Sequence, residues 1–183
     1  MVSADEAVSS LKSGMNVFIH GAAATPTPLL DAMCRREDLT AVRLYHMHTE
    51  GPAPFLEPNC RDRFTSISLF TGKPARKAVQ EGYADFIPVF LSDIPSLFRN
   101  GNIHLDAALL QVSPPDRHGF CSLGTSVDSA RAAADCAPML IAEINRQMPR
   151  THGDSMVPMS SFAACIESDR PLYEHDVYAE TPV

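Results

Sequence analysis

Short apolar runs, each followed by a polar turn and then an amphipathic stretch, recur along the whole chain. Asn16–His20, Thr40–His46, Arg63–Phe70, Asp85–Phe90, Asp106–Ser113, Met139–Asn145 and Ser160–Ile166 have the length and composition of strands. Pro88 places the fourth of these at a sheet edge, where a missing N–H is tolerated. Helix signals lie between them. Ser3-Ala-Asp-Glu6 is a capping box that opens a first helix, closed at Gly14. A second helix follows the Gly21–Pro28 turn and runs to about Glu37, with Thr25 or Thr27 as cap and proline at its first position. Further helices are predicted over Ala75–Glu81, stopped by Gly82, over Ser92–Phe98, capped by Ser92, and over Ser129–Cys136, capped by Ser126 or Asp128. Strand and helix alternate throughout. That order predicts one α/β domain with an open, mostly parallel sheet, helices on both faces and right-handed crossovers.

The stretch Leu109–Gly124 is the centre of this pattern. A buried strand ends at Pro114 and Pro115, which hold Ser113 extended. A small polar loop with Asp116, His118, Gly119, Ser122 and Gly124 leads into the next helix. A strand, a glycine-bearing loop and a helix in that order build the carboxyl edge of a parallel sheet, where open α/β folds bind ligands. On composition alone, a turn shaped only for geometry is an equally good reading. The Gly21–Pro28 turn carries no bulky side chain and precedes a helix N-terminus, which favours anions. It contains neither a dinucleotide fingerprint nor a Walker pattern.

Other polar groups have plainer readings. His46 and His48 could share a face, but no third and fourth ligand accompanies them, so no metal is expected. Lys73, Arg76 and Lys77 could attract a carboxylate or phosphate, yet a solvated face is the better reading on charge alone. Glu143 inside an apolar run reads as a paired structural residue. The proline-bearing Thr49–Asn59 segment reads as a covering or functional loop. The tail after Asp169, with Tyr173, His175 and Tyr178, reads as an edge or linker segment.

Composition narrows the setting. With 183 residues, 45% hydrophobic and 20% charged, the chain has enough apolar material for one domain core. A net charge of -7 argues against a nucleic-acid surface. No apolar run approaches the ~18 residues of a membrane span, and the acidic N-terminus lacks a signal-peptide pattern. Cys34, Cys60, Cys121, Cys136 and Cys165 form no Cys-x-x-Cys pair and are expected as reduced thiols in a cytoplasmic protein. Cys121 lies in the central loop, where a packing role is favoured over reactivity.

The motif Ser113-Pro-Pro-Asp-x-His-Gly-x-x-Ser-Leu-Gly-x-Ser-Val-Asp128 resembles the acetyl-CoA hydrolase/transferase family, class I CoA-transferases, in its 4-hydroxybutyrate CoA-transferase-like branch. Four further segments agree in order. They are Val17-Phe-Ile-His-Gly-Ala-Ala-Ala-Thr-Pro26, His46-Met-His-Thr-Glu-Gly-Pro-Ala-Pro54, Arg76-Lys-Ala-Val-x-Glu-Gly-Tyr-Ala-Asp-Phe-Ile-Pro88 and Asn145-Arg-Gln-Met-Pro-Arg-Thr-x-Gly-Asp-Ser155. The resemblance implies the CoA-transferase fold, an open α/β sheet. It also implies exchange of coenzyme A, as a substrate, between an acyl-CoA and a short carboxylic acid through a glutamyl-CoA thioester, or hydrolysis of acetyl-CoA.

In the family a second, similar domain supplies the nucleophilic glutamate and a glycine-rich loop, and nothing here matches either. Residues 1–183 are therefore expected to be the N-terminal domain, inactive alone, with the C-terminal domain of the same enzyme as partner. No catalytic residue is assigned. One wall of the substrate and CoA cleft is expected from Gly21, Thr25 and Pro26, from Gly72, and from Ser113, Asp116, His118, Gly119 and Ser122, with hydrogen bonds that pin the loop as the favoured role of Asp116 and His118. A non-catalytic CoA- or acyl-binding module and a sugar-phosphate isomerase-like enzyme on a related fold are the alternatives. The missing half implies an exposed apolar patch near the central loop or Pro52–Pro58, and hence self-association into a homo-oligomer.

Overall fold

The computed structural model describes residues 1–174. In chain order its elements are α1 (Ala4–Ala7), β1 (Asn16–Ile19), α2 (Thr27–Arg35), β2 (Val42–His46), β3 (Phe64–Ser68), α3 (Lys73–Gln80), β4 (Asp85–Phe86), α4 (Ile94–Arg99), β5 (Ala107–Val112), β6 (Phe120–Ser122), α5 (Asp128–Cys136), β7 (Met139–Asn145), β8 (Met156–Pro158) and β9 (Phe162–Ser168). Seven strands form one sheet in the order β4-β3-β2-β1-β5-β7-β9, and every pairing in it is parallel. The α/β class and the open parallel sheet are thus as the alternation of elements predicts.

Two cores follow from the two faces of the strands. Val17, Ile19, Leu44, Leu109 and Ile141 point to the side covered by α1 and α2, against Val8, Leu29, Leu30 and Met33. Phe18, Ala108, Leu110, Ala142 and Ile144 point to the side covered by α4 and α5, against Phe98, Ala130 and Ala133. Each fully buried large side chain contributes about 1.5–3 kcal/mol, and β5 is buried along its whole length.

The connections position the site. The chain lays β1 to β4 outward on one side, then returns to place β5 against the free side of β1. Strand order therefore reverses between β1 and β5. The loops leaving their carboxyl ends are Gly21–Pro26 and Ser113–Ser122.

Several local expectations are corrected. Helix α1 is a single turn, although Ser3 Oγ does accept the Glu6 N–H at 3.1 Å. Neither Thr25 nor Thr27 caps α2, whose N-cap position is Pro26. The Thr25 hydroxyl is used elsewhere, donating to the Ala22 carbonyl (2.8 Å) and accepting from the Glu50 N–H (3.0 Å). Helix α3 starts at Lys73 rather than Ala75, with Gly72 at its cap. Lys73, Arg76 and Lys77 on it are exposed to solvent. Ser92 sits in a 3-10 turn, Leu91–Asp93, that precedes α4, and it bonds to the Asp93 carboxylate instead of capping. At the start of α5 it is Asp128 that accepts the Ser129 N–H, from inside the first turn.

Pro88 limits the fourth strand to Asp85–Phe86, at the sheet edge as expected. The last strand is displaced by two residues, to Phe162–Ser168. The loop expected after β5 carries β6, and the stretch 147–158, where no strand is predicted, carries β8; the two pair antiparallel in a small second sheet. The Pro52–Pro58 segment is not the apolar patch, because Phe55 is buried against the His46 ring at 5.4 Å. The exposed apolar side chains Phe70, Phe86, Phe90 and Leu91 cluster instead around β4, and Phe120 stands on the central loop. His175 and Tyr178 lie outside the described residues.

His46 makes the β2–β3 packing dependent on pH. Its Nδ1–H donates to the Met47 carbonyl at 2.5 Å, and its Nε2 accepts from Ser66 Oγ at 2.8 Å. The bond accepted from Ser66 needs the neutral ring, whereas the bond to the Met47 carbonyl survives protonation. Burial pushes its pKa down to about 4, against the opposing pull of the Met47 carbonyl. Because the folded value lies below the unfolded one of about 6.5, this contribution is complete above the unfolded value and is lost as pH falls toward about 4. The expected loss over that window is ~3 kcal/mol. Urea unfolding at pH values spanning it checks this, and His46→Gln should remove this share of the slope.

Candidate functional site

The carboxyl ends of β1, β5 and β7 carry polar residues where their amino-terminal halves carry apolar ones. His20, Gln111, Glu143 and Asn145 are fully buried there. Buried polar groups are stable only when bonded, and these bond to one another and to the two loops. Gln111 N–H donates to His20 Nδ1 (3.2 Å), so Nε2 carries the ring proton and donates to the Ser126 carbonyl at 2.6 Å. Burial holds the His20 pKa below its usual range, which keeps this neutral tautomer. The Gln111 side chain donates to the Thr25 carbonyl (3.1 Å) and accepts from Asn145 (2.9 Å).

The network ends on a buried ion pair. Arg170, just past β9, grips Glu143 through Nε (2.7 Å) and a terminal nitrogen (3.0 Å). Its guanidinium also donates to the Thr25 carbonyl at 2.8 Å, and Ser168 Oγ donates to Glu143 at 2.6 Å. Glu143 is thus the paired structural residue expected of it. The Tyr173 ring lies 5.5 Å from the Arg170 guanidinium and its hydroxyl bonds Thr27 at 2.8 Å. The segment Ser168–Tyr173 is a strap across the carboxyl edge, and it fastens the β1–α2 loop through one carbonyl.

That loop is itself tightly built. Ala22 has φ 51°, a left-handed conformation that costs a non-glycine residue on the order of 1 kcal/mol or more. Its N–H donates to the His48 carbonyl at 2.7 Å. A Cβ at Gly21 would stand 2.8 Å from the same carbonyl oxygen, and one at Gly72 would stand 2.7 Å from His48 Cβ. Three loops, after β1, β2 and β3, therefore close around His48, and both glycines are required by proximity.

On the other side of the reversal, Ser113–Ser122 is a hairpin. Ser113 N–H donates to the Ser122 carbonyl, and Asp116 N–H to the Phe120 carbonyl, each at 2.9 Å. Asp116 Oδ1 accepts the N–H groups of His118 and Phe120, both at 2.9 Å, and Oδ2 pairs with Arg150 at 2.6 Å. The Phe120 N–H bond first, then that of His118 and the Arg150 charge, hold the Asp116 carboxyl below its usual range. Asp116 does pin the loop, whereas the His118 side chain is exposed and accepts a bond from the neighbouring Arg117 at 3.0 Å.

The nine expected wall residues thus separate by exposure. Gly21, Thr25, Pro26, Ser113 and Ser122 are buried framework, and Ser122 Oγ accepts from the N–H groups of Gly124 and Thr151 at 3.1 Å each. His118 is exposed, and Gly72, Asp116 and Gly119 are partly so. Cys121 is buried and its thiol is pushed up to about 11 by that burial, so it is a packing residue. His46 and His48 form no metal site, and among the described residues no group of three or more His, Cys, Asp or Glu side chains is placed to hold a metal ion. Sequence reasoning passed over His20, Gln111, Asn145, Arg150 and Arg170 as site residues. The signal was present for three of them, as polar residues at the same end of neighbouring buried strands.

An open parallel sheet whose order reverses beside two ordered loops is the architecture of ligand-binding α/β domains. The chain belongs to the acetyl-CoA hydrolase/transferase family, whose N-terminal domain matches residues 1–173. It is 47% identical over 173 residues to a Fasciola hepatica succinyl-CoA:acetate/propanoyl-CoA:succinate CoA transferase, covering 93% of this chain and 36% of that protein. It is 36% identical to the 4-hydroxybutyrate coenzyme A transferase of Clostridium kluyveri, covering 95% of this chain and 41% of that one. The 4-hydroxybutyrate CoA-transferase structure from Porphyromonas gingivalis superposes with a TM-score of 0.81 at 38% identity, over 95% of this chain and 40% of that one. RipA from Yersinia pestis superposes with a TM-score of 0.90 at 30% identity, over 99% and 45%. The chain spans well under half the length of these relatives.

The ion pair under the β1–α2 loop should be sensitive to losing one partner. Arg170→Met leaves the Glu143 carboxylate buried and unpaired and is expected to cost about 3–5 kcal/mol in urea unfolding. Arg170→Met with Glu143→Gln should recover part of that loss.

Proposed function

We propose that this chain is the N-terminal domain of a CoA-transferase that moves coenzyme A between an acyl-CoA and a short carboxylic acid. Its carboxyl edge forms one wall of the acyl-CoA site, with Gly72, Asp116, His118 and Gly119 at the surface and Gly21, Thr25, Pro26, Ser113 and Ser122 as the framework behind them. The nucleophile is a glutamate of a second domain. That carboxylate attacks the thioester carbonyl and expels the CoA thiolate, giving a mixed anhydride. The thiolate then attacks the glutamyl carbonyl, releases the first acid and leaves a glutamyl-CoA thioester, which the acceptor carboxylate resolves. Water in place of the acceptor gives net acetyl-CoA hydrolysis.

The family match and the named activities of its relatives support this reading. The observation that carries the division between domains is the state of Glu143. It is the glutamate buried at the site end of the sheet, and both of its oxygens are held by Arg170, one of them also by Ser168. A carboxylate so bonded is a framework group, which supports a nucleophile on another part of the enzyme.

The test is exchange between acetyl-CoA and a panel of short carboxylic acids, with release of free thiol followed in parallel. The 183-residue chain should give no exchange. A polypeptide that continues into a second domain of this family should exchange with ping-pong kinetics and should trap CoA covalently on one glutamate. Robust turnover by the present chain, abolished in Glu143→Gln or Glu50→Gln, would relocate the nucleophile and reject the division.

A further inference from the structure

Two of the five cysteines are held as a pair at the end of the sheet opposite the candidate site. Cys34 lies in the last turn of α2, and Cys60 lies in the turn that precedes β3. Both positions fall at the amino end of the strands, away from the Gly21–Pro26 and Ser113–Ser122 loops. The Cys60 thiol reaches the Cys34 carbonyl at 3.9 Å, and both cysteines line one surface cavity.

One guanidinium organises them. Arg63 donates to the Cys34 carbonyl (2.9 Å), the Asn59 carbonyl (3.2 Å) and Cys60 Sγ (3.4 Å), and it bonds the Arg36 carbonyl as well. It satisfies the free carbonyls at the C-terminus of α2, where a cation is favoured. In doing so it fixes the Cys60 turn against that helix end and holds the two cysteines as neighbours. A surface cavity of about 350 Å³ is lined by Cys34, Cys60, Asp31 and Glu57, and a second of about 600 Å³ by Cys34, Glu37 and Arg63. Cys121 and Cys165 also influence each other electrostatically, but both are buried in the core away from these openings. Cys34, half-buried, lines both cavities and is the thiol a small reagent reaches first; Cys60, itself buried, lines one of them.

We propose that Cys34 and Cys60 form a reversible disulfide by exchange with a low-molecular-weight disulfide. The Cys34 thiolate attacks one sulfur of the reagent and expels one small thiolate, giving a mixed disulfide on Cys34. Cys60 then attacks the Cys34 sulfur and expels the second small thiolate. The two cysteines lose two electrons, the reagent gains them, and the two thiol protons pass to the released thiolates or to solvent. The bridge joins positions 26 residues apart and ties α2 to the segment between β2 and β3. It acts on stability, by restricting the unfolded chain, and leaves the distant site loops as they are. Burial, with the neighbouring Cys60 adding to it, pushes the Cys34 thiol above its usual range, so exchange is slow at neutral pH and quickens as pH rises.

The test uses excess oxidised glutathione on the intact 183-residue chain at about pH 9, where the thiolate fraction on Cys34 exceeds that at neutral pH, followed by alkylation and peptide mapping. The expected product is a Cys34–Cys60 cross-linked peptide, with a rise in Tm that dithiothreitol reverses. Cys60→Ser should stop at glutathione held on Cys34, which traps the first step without needing the bridge. Wild-type protein that keeps glutathione on Cys34, that bridges Cys121 to Cys165 instead, or that returns Cys34 and Cys60 both alkylated overturns the proposal.

Discussion

The buried Glu143–Arg170 pair is the interaction on which the carboxyl edge depends. A carboxylate fully removed from water costs several kcal/mol in lost hydration, and that cost is offset here only because three donors reach it. The same arginine gives a further donor to the Thr25 carbonyl. Gln111 gives a second. The loop after β1 is therefore held from beneath by two side chains that are themselves held, one by an ion pair and one by Asn145. A carbonyl fixed in this way fixes the peptide planes beside it, including the strained Ala22 turn. The strap from Ser168 to Tyr173 completes the arrangement from a part of the chain more than a hundred residues away from the loop it holds.

The two ends of the sheet do different work, and charge placement explains why. At the amino end, Arg63 satisfies the carbonyls that α2 leaves free at its C-terminus. At the carboxyl end, the polar atoms come from strand residues, because the loops there must stay short and close to one another. Gly21 and Gly72 let that happen by leaving room around His48. The hairpin beyond β5 solves the same problem differently. Asp116 replaces missing sheet partners with two N–H bonds and an ion pair, so a ten-residue excursion (Ser113–Ser122) holds its shape at the surface.

Much of this was legible in the amino-acid pattern, and the failures have physical causes. The strands of the parallel sheet announce themselves because both of their faces are buried, which forces continuous apolar runs. The pair β6 and β8 does not, because three-residue strands held by antiparallel bonds need no such run. Helix starts were misplaced where a hydroxyl had a stronger use elsewhere, as with Thr25, bonded across to Glu50. The loops were found by their glycines and prolines, but the residues that hold them were not. Gln111 and Asn145 look like interruptions of apolar strands until the register brings β5 and β7 together. Arg170 lies beyond the last strand, with nothing local to mark it. Glu143 was read correctly, since a lone acid in a buried strand has to find a cation.

The same physics limits what this edge can do by chemistry. A carboxylate attacks a thioester with a lone pair, so it must be partly desolvated and yet not fully engaged by donors. Glu143 meets the first condition and fails the second. Each charge-assisted bond to it is worth about 1.5–3 kcal/mol; freeing Oε1 from Arg170 and Ser168 would sacrifice two of them, and freeing Oε2 one. A penalty of about 1.5 kcal/mol or more lowers a rate at least roughly tenfold, and it would also loosen the arginine that holds the Thr25 carbonyl. The acid that attacks and the acid that holds the wall in place have opposing requirements, so one residue at this position cannot serve as both. The fold resolves the conflict by using Glu143 as an anchor for Arg170 and, through it, for the Thr25 loop.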